Sequence, residues 1–145
     1  RTLSQLSDAH LVWRSGSEAN SIAVIVQHTA GSMKSRWTDF LTSDGEKEWR
    51  DRDGEFIEPA SMTHIDLLSF WEAGWQCLFN SLGLVKPEDL MQEITIRGQT
   101  MTALDAIQRQ LSHNAYHVGQ IVHIAKEQLS NDWQTLSIPK AGSRE

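Results

Sequence analysis

The sequence predicts an all-α protein, and three features support this prediction. In four stretches of the chain, apolar side chains recur every three or four residues, which is the spacing of one helical face. Glycines, prolines and charged segments separate these stretches. Two short extended segments around a glycine predict a hairpin that is too small to fold alone. With 145 residues, 39% of them hydrophobic, the chain is expected to form one domain over residues 1–145.

Two of the predicted helices lie in the first third of the chain. The segment from Arg1 to Trp13 is predicted to be the end of a first helix, because Leu3, Leu6 and His10 share its face with Trp13. An Arg-Ser-Gly-Ser segment then breaks the pattern. The second helix is predicted from about Glu18 to Thr42, with Ser17 or Asn20 as its N-cap. Its apolar face consists of Ile22, Val26, Met33, Trp37 and Leu41.

A long charged loop follows, from Ser43 to Ala60. Acidic and basic side chains alternate between Asp44 and Phe56, together with two glycines and two aromatic residues. Loops of this length are often lids or binding loops, and an ordinary solvated connection is the alternative. Both interpretations stay open at this point.

The third helix is predicted to begin at Thr63 and to end at Gly83. Asp66 stands three residues after Thr63 and approximates a capping box, and glycine commonly follows the last turn of a helix. The apolar stripe of this helix consists of Ile65, Leu68, Trp71, Trp75, Leu78 and Leu82.

The last third of the chain predicts a hairpin, a long helix and a tail. Short extended segments on both sides of Gly98, within residues 94–102, predict the hairpin. The fourth helix is predicted from about Ala103 to Leu129. Its apolar face consists of Leu104, Ile107, Leu111, Val118, Ile121, Val122 and Ala125. The tail is expected to pack through Trp133 and Ile138 and then to fray.

Charge and composition exclude several classes of partner. The formal net charge is −6 and the sequence contains no cluster of lysine and arginine, which argues against nucleic acid. No apolar stretch approaches the ~20 residues that cross a bilayer, so no membrane partner is expected.

Cys77 is the single cysteine, lies in an apolar stretch, and is interpreted as an inert core thiol. With no leader pattern visible, a cytoplasmic location is expected.

Two histidines of the fourth predicted helix share one face. His113 and His117 are four residues apart and therefore differ in direction by about 40°. Gln120 continues this face, whereas His123 points about 120° away from His117 and is excluded from the site. A pair one turn apart can bind a metal ion, but zinc peptidase helices carry a glutamate where this chain has Asn114. The pair alone is a weak signal and requires a third ligand.

His28 is the strongest candidate for that ligand. It lies among apolar residues of the second predicted helix, where an unpaired imidazole would be costly to bury. The alternative is a core histidine that is hydrogen-bonded to a backbone carbonyl or to Asp39. The residues alone leave both interpretations open.

The histidine in the second helix and the His-x-x-x-His-x-Gly-Gln pattern from His113 to Gln120 resemble the DinB superfamily of damage-inducible and YfiT-like metalloenzymes. Further segments look like a bacterial DinB-related branch of unassigned function. These segments are Asn20–Ser21, Gly31, Ser35–Leu41, Asp44–Lys47, Arg50–Asp53, Glu55–Phe56, Ile96–Arg97 and Leu136–Pro139.

The resemblance implies a DinB-like four-helix bundle of the up-down-down-up type, with a hairpin before the last helix and a first helix truncated to its end. It also implies that His28, His113 and His117 hold one divalent metal ion. Zinc and nickel are the first candidates because imidazole ligands suit both. Three protein ligands leave a coordination position open. Bundles of this superfamily often dimerise, so a homodimer is expected.

Some DinB-like proteins are thiol transferases, and the resemblance therefore implies metal-dependent thiol transfer with a small-molecule thiol or electrophile as partner. Two alternatives are a non-catalytic metal-binding or stress-response bundle and, ranked lower, a metal-dependent hydrolase with Asp39 as the nearest carboxylate. Arg50 or Arg52 could pair with a substrate carboxylate. We prefer surface ion pairs with Asp51, Asp53 or Glu55 for them and leave both outside the site. Tyr116 is interpreted as a packing residue.

Overall fold

The structure is a computed structural model that describes residues 1–138. It is mostly helical and contains one small antiparallel hairpin, which confirms the prediction of an all-α protein with a hairpin. The helices are α1 (Asp8–Leu11), α2 (Ile22–Trp37), α3 (His64–Leu82) and α4 (Ala103–Leu129), and the hairpin strands are β1 (Glu93–Ile96) and β2 (Gln99–Thr102). The arrangement as a four-helix bundle stays a prediction.

The predicted helix from Arg1 to Trp13 is wrong, because two short pieces replace it. They are a 3-10 turn at Leu3–Gln5 and the single turn of α1. Between them Ser7 has an extended backbone, and its amide donates to Nδ1 of His10 over 3.0 Å. This local cap starts a new helix where the periodic pattern predicted a continuous one.

Helix α2 is shorter at both ends than the pattern predicts. Its N-cap is the buried Ser21, whose hydroxyl accepts a hydrogen bond from Val24 N over 3.2 Å, so the predicted caps Ser17 and Asn20 are wrong. The helix ends at Trp37 rather than near Thr42, since the following residue is extended. Thirteen of its 16 residues are buried, which makes α2 the central helix of the fold.

The predicted limits of α3 are confirmed. Thr63 accepts a hydrogen bond from Asp66 N, and Gly83 follows the last residue. The predicted stripe is wrong at its N-terminal end, where Ile65 is 80% exposed. Gly74 lies where α3 meets α2, and a Cβ placed on it would be only 2.8 Å from Cα of Ala30.

The predicted hairpin is confirmed. Strands β1 and β2 pair antiparallel, with Ile96 opposite Gln99, and the two turn residues Arg97 and Gly98 both have positive φ angles. The Asp44 carboxylate accepts hydrogen bonds from the backbone amides of both turn residues, each over 2.8 Å. The charged loop is therefore fixed to the hairpin.

The limits of α4 are also confirmed, and Thr102 caps it as part of a capping box with Asp105. Its buried stripe differs from the predicted one, since Leu111 is 71% exposed. The residues buried instead are Ala103, Ala106, Gln110, Asn114, His117, Ile121 and Ala125. The middle of this stripe is polar because α2 offers partners to it. Arg36 and Trp37 both donate to Oε1 of Gln110.

Apolar packing forms two clusters with the polar middle of α2 and α4 between them. Ile22, Ile25 and Val26 pack in one cluster with Ile121 and Ala125 of α4. Met33 and Trp37 pack in the other with Ala103 and Ala106. The two helices therefore run antiparallel, and the polar residues of both meet at half their length.

The tail agrees only in part with the prediction. Trp133 packs against the first apolar cluster, whereas Ile138 is 69% exposed. The expected fraying lies in residues 139–145, outside the described residues. Within residues 1–138, no helix combines the length and the apolar character that a membrane crossing needs.

The close contact at Gly74 yields a stability prediction. We expect Gly74→Ala to lower the free energy of unfolding by about 1–3 kcal/mol, because the added methyl group would overlap α2. The matched control is Gly119→Ala in α4, where nothing lies within 4 Å of an added Cβ. That control should stabilise by about 0.5–1 kcal/mol through helix propensity. Urea unfolding of both variants tests this, and equal effects would contradict the packing argument.

Candidate metal centre

Three histidines from two helices converge at the polar middle of the fold. His28 comes from α2, and His113 and His117 come from successive turns of α4. Nε2 of His113 lies 3.2 Å from Nε2 of His28 and 3.2 Å from Nε2 of His117. One nitrogen from each ring therefore points to a common centre, and the group could hold a metal ion.

The outer nitrogens of two rings are held by acceptors. Nδ1 of His28 lies 3.0 Å from Oε2 of Glu55, and Nδ1 of His117 lies 2.8 Å from Oε1 of Gln120. The amide nitrogen of Gln120 in turn donates to the Tyr116 hydroxyl over 3.2 Å. Since carboxylate and amide oxygens only accept, both Nδ1 atoms carry the proton in the neutral rings.

This tautomer leaves the inward Nε2 atoms of His28 and His117 with lone pairs. If Nε2 of His113 carries a proton, it can donate a good hydrogen bond to only one of these two lone pairs. Nδ1 of His113 is buried without a hydrogen-bond partner among the described residues. A divalent cation would instead accept all three lone pairs. Ligand nitrogens about 2.0–2.1 Å from a tetrahedral metal lie roughly 3.3 Å apart. Two of the observed Nε2 separations, both to His113, are 3.2 Å, and all three ligand atoms lie within 4.8 Å of one another. The donor set and its geometry therefore fit a metal ion.

Glu55 is the residue of this centre that sequence reasoning did not identify. Its carboxylate accepts from Nε and Nη2 of Arg50 over 2.8 and 2.7 Å, in addition to the contact with His28. Arg50 also donates to Glu46 over 3.0 Å, and its side chain is only 4% exposed. The alternative partner for His28, Asp39, is wrong, because Asp39 is exposed outside the site. Glycine at position 31 leaves the space that Glu55 occupies over α2.

Electrostatics keep the centre in the protonation states that metal binding needs. Burial raises the pKa of the Glu55 carboxyl, but hydrogen bonds from Arg50 and His28 outweigh it and hold the pKa below its usual value. Burial, followed by the charges of the neighbouring histidines and arginines, lowers the pKa of His113 to about 4. Burial also lowers the pKa of His117. Neutral imidazoles are the form that coordinates metals.

The charged loop packs against His28, so the interpretation of this loop as a functional element gains support. Phe56 packs on His28 with 4.6 Å between ring centroids, and the Arg52 guanidinium lies 5.1 Å from the Phe56 ring centre. The ion pair of Arg50 with Glu55 is confirmed, but it is buried rather than on the surface. The pair of Arg52 with Asp53, at 3.6 Å, is the expected surface pair.

The remaining residues singled out in the sequence lie outside the histidine group. His123 is exposed on α4, as expected from its direction. Cys77 is half-buried, and its Sγ lies 3.7 Å from the Thr38 hydroxyl. Tyr116 is 64% exposed and contributes through Gln120 rather than through core packing.

Comparison with known proteins gives one family. The model of a family described as a protein of unknown function, DUF1572, matches residues 1–142. No curated protein matches the chain.

The lowered pKa of His113 predicts how the metal-free protein responds to acid. His113 takes up a proton near pH 6.5 when unfolded and near pH 4 when folded, so the unfolded state binds more protons between these values. Stability should therefore be intact above about pH 6.5 and should fall as the pH is lowered toward 4. In His113→Gln, the decrease of the melting temperature from about pH 7 to about pH 5 should be smaller.

Thermal melts in the presence of a chelator measure this difference. His123→Gln is the matched control, because it removes an exposed histidine from the same helix. A pH dependence as steep in His113→Gln as in His123→Gln would show that His113 is not the group concerned.

Proposed function

The chain belongs to the DUF1572 family, a DinB-like family, and we propose that its three histidines bind one divalent metal ion that serves in thiol transfer. The observation that carries the proposal is the convergence of three Nε2 atoms whose outer nitrogens are held by Glu55 and Gln120. The same proposal includes the DinB-like four-helix bundle, in which the ligands come from the central helix and the last long helix.

The donor set guides the choice of metal. Neutral imidazoles suit zinc and nickel, which are therefore the proposed ions. Three protein ligands leave at least one coordination position open, as in catalytic rather than structural sites. A bound ion would lower the pKa of a coordinated thiol and so supply a thiolate at neutral pH.

The residues of the chain would prepare this chemistry by holding the ligands in place. Glu55 and Gln120 keep the protons of His28 and His117 on Nδ1 and direct both Nε2 lone pairs inward. Arg50 keeps Glu55 ionised. In the net reaction, a carbon–sulfur bond forms on the electrophile, the bond to its leaving group breaks, and the thiol proton departs with the leaving group.

Thiol transfer is preferred to hydrolysis because no carboxylate among the described residues is placed to act as a base. Glu55 is the acid next to the histidines, and both its oxygens are already engaged by Arg50 and His28. Its lowered pKa makes it a weak proton acceptor. A non-catalytic role is the second candidate. The same three histidines would then hold an ion that stabilises the fold, and no substrate would be required.

Metal binding is the first prediction. The native protein should bind one zinc or nickel ion per chain, and His117→Ala should lose this binding, while His123→Ala should retain it because His123 lies outside the group. Glu55→Gln should weaken affinity by about 10–100-fold, since it disturbs a partner of a ligand rather than a ligand. Glu48→Gln, an exposed change in the same loop, is the control for it.

Elemental analysis of protein purified without added metal, followed by calorimetric titration of the chelator-treated protein, measures these effects. Native protein that contains no metal and binds neither ion on titration would refute the proposed site.

Thiol transfer is tested separately by conjugation of small thiols to monochlorobimane. The metal-loaded protein should accelerate conjugation of at least one low-molecular-weight thiol, His117→Ala should abolish the acceleration, and His123→Ala should keep it. Circular dichroism melts show whether His117→Ala still folds. If the native protein binds metal but accelerates no conjugation, and His117→Ala only lowers the melting temperature, the ion has the structural role.

A further inference from the structure

A cavity lined by arginines opens beside the histidine group. Its volume is about 190 Å³, and His28 and His113 form part of its wall. Five of the seven arginines among residues 1–138 line it, although the protein as a whole carries a net charge of −6. They are Arg36, Arg50, Arg52, Arg97 and Arg109. Because most of the described arginines surround this one cavity, the electrostatic potential there is positive although the protein is acidic overall.

The acidic side chains nearby neutralise only part of this charge. Arg50 is paired with Glu55 and Glu46, and Arg97 also pairs with Glu46 at 3.3 Å. Arg36 and Arg109 form no ion pair within the part of the chain that the structure describes. These two arginines therefore provide positive charge toward the cavity that no direct ion pair neutralises.

Arg36 is the more unusual of the two, because it is 8% exposed and is buried without a carboxylate partner. Nη1 donates to Gln110 over 2.8 Å, whereas the buried Nε has no hydrogen-bond partner among residues 1–138. Burial, followed by the charges of Arg109 and Arg50, lowers the pKa of Arg36 to about 10. A buried cation with an unsatisfied donor is costly unless an anion completes the site.

We propose that this cavity binds the oxyanion group, a carboxylate or a phosphate, of a small-molecule substrate, with Arg36 and Arg109 as the anion-binding residues. Guanidinium groups bind both anions through paired, charge-assisted hydrogen bonds. The cavity has room for a small anionic group rather than for a macromolecule. This inference deepens the proposed function, since His113 borders the cavity and a bound anion would place the rest of the substrate next to the histidines.

The position of the arginines explains why such a site is selective. Arg36 comes from α2, Arg109 from α4, and Arg97 from the hairpin turn, so three separate elements surround the same volume. A neutral substrate would leave Arg36 and Arg109 without an ion-pair partner. The site therefore favours an anionic thiol or an anionic electrophile over neutral ones.

The test uses succinate and inorganic phosphate as probes, titrated separately into metal-free and metal-loaded protein at low salt. Saturable binding at one site is expected in the metal-free protein for at least one probe, and the tighter probe identifies the group as carboxylate or phosphate. Arg109→Gln should weaken binding by about 10–100-fold, the equivalent of one charge-assisted hydrogen bond. Arg36→Gln should weaken it as much.

Arg109→Gln decides the test if Arg36→Gln fails to fold, because Arg109 is exposed and its replacement leaves the core intact. Arg14→Gln is the control, since Arg14 is an exposed arginine outside the cavity, and it should bind the probes like the native protein. The inference is overturned if neither succinate nor phosphate binds to the metal-free protein. It is also overturned if Arg109→Gln and Arg14→Gln bind the probes equally well.

The two proposals fail in different ways. Anion binding that depends on Arg109 in a protein that takes up no metal would support this inference and refute the metal site. Metal binding in a protein that binds neither anion would support the metal site and refute this inference.

Discussion

The carboxylate of Glu55 is the contact on which the candidate site depends. It joins the charged loop to the central helix, because it accepts hydrogen bonds from Arg50 of that loop and from His28 of α2. The contact sets the tautomer of His28, keeps Arg50 buried without an uncompensated charge, and brings Phe56 over the imidazole. Without Glu55, the buried Arg50 would keep only Glu46 as a carboxylate partner among the described residues, and Nδ1 of His28 would lose its acceptor.

The fold accepts this polar centre because apolar packing on both sides of it holds α2 and α4 together. The two helices share one cluster near Ile22 and Ile121 and a second near Trp37 and Ala106. Between the clusters, Gln110 accepts hydrogen bonds from Arg36 and Trp37, and donates to Asn114. These hydrogen bonds offset the cost of burying Gln110, although Nε of Arg36 has no partner among residues 1–138, and the connected network helps to hold the register in which the three histidines meet.

Positive charge is the second property of this region. The arginines around the cavity help to lower the pKa of His113, so they favour the neutral ring that a metal requires and also attract an anion. One charge distribution thus serves both proposed ligands. The rest of the surface is acidic and would repel an anionic molecule, so this cavity would be the place where such a molecule binds most favourably.

Local signals in the sequence were sufficient for several elements that local interactions determine, although the local caps at Ser7 and Ser21 were not identified. The cap at Thr63, the limits of α4, the turn at Gly98 and the shared face of His113 and His117 depend on residues within one or two helical turns. Tertiary structure alone decided that His28, 85 residues before His113, reaches the same point, and that Glu55 rather than Asp39 holds it. It also decided that the buried stripe of α4 is polar in its middle, and that scattered arginines form one cavity. These features arise from the antiparallel packing of α2 with α4 and from the folding of the charged loop over them, and periodicity along one segment carries no information about either.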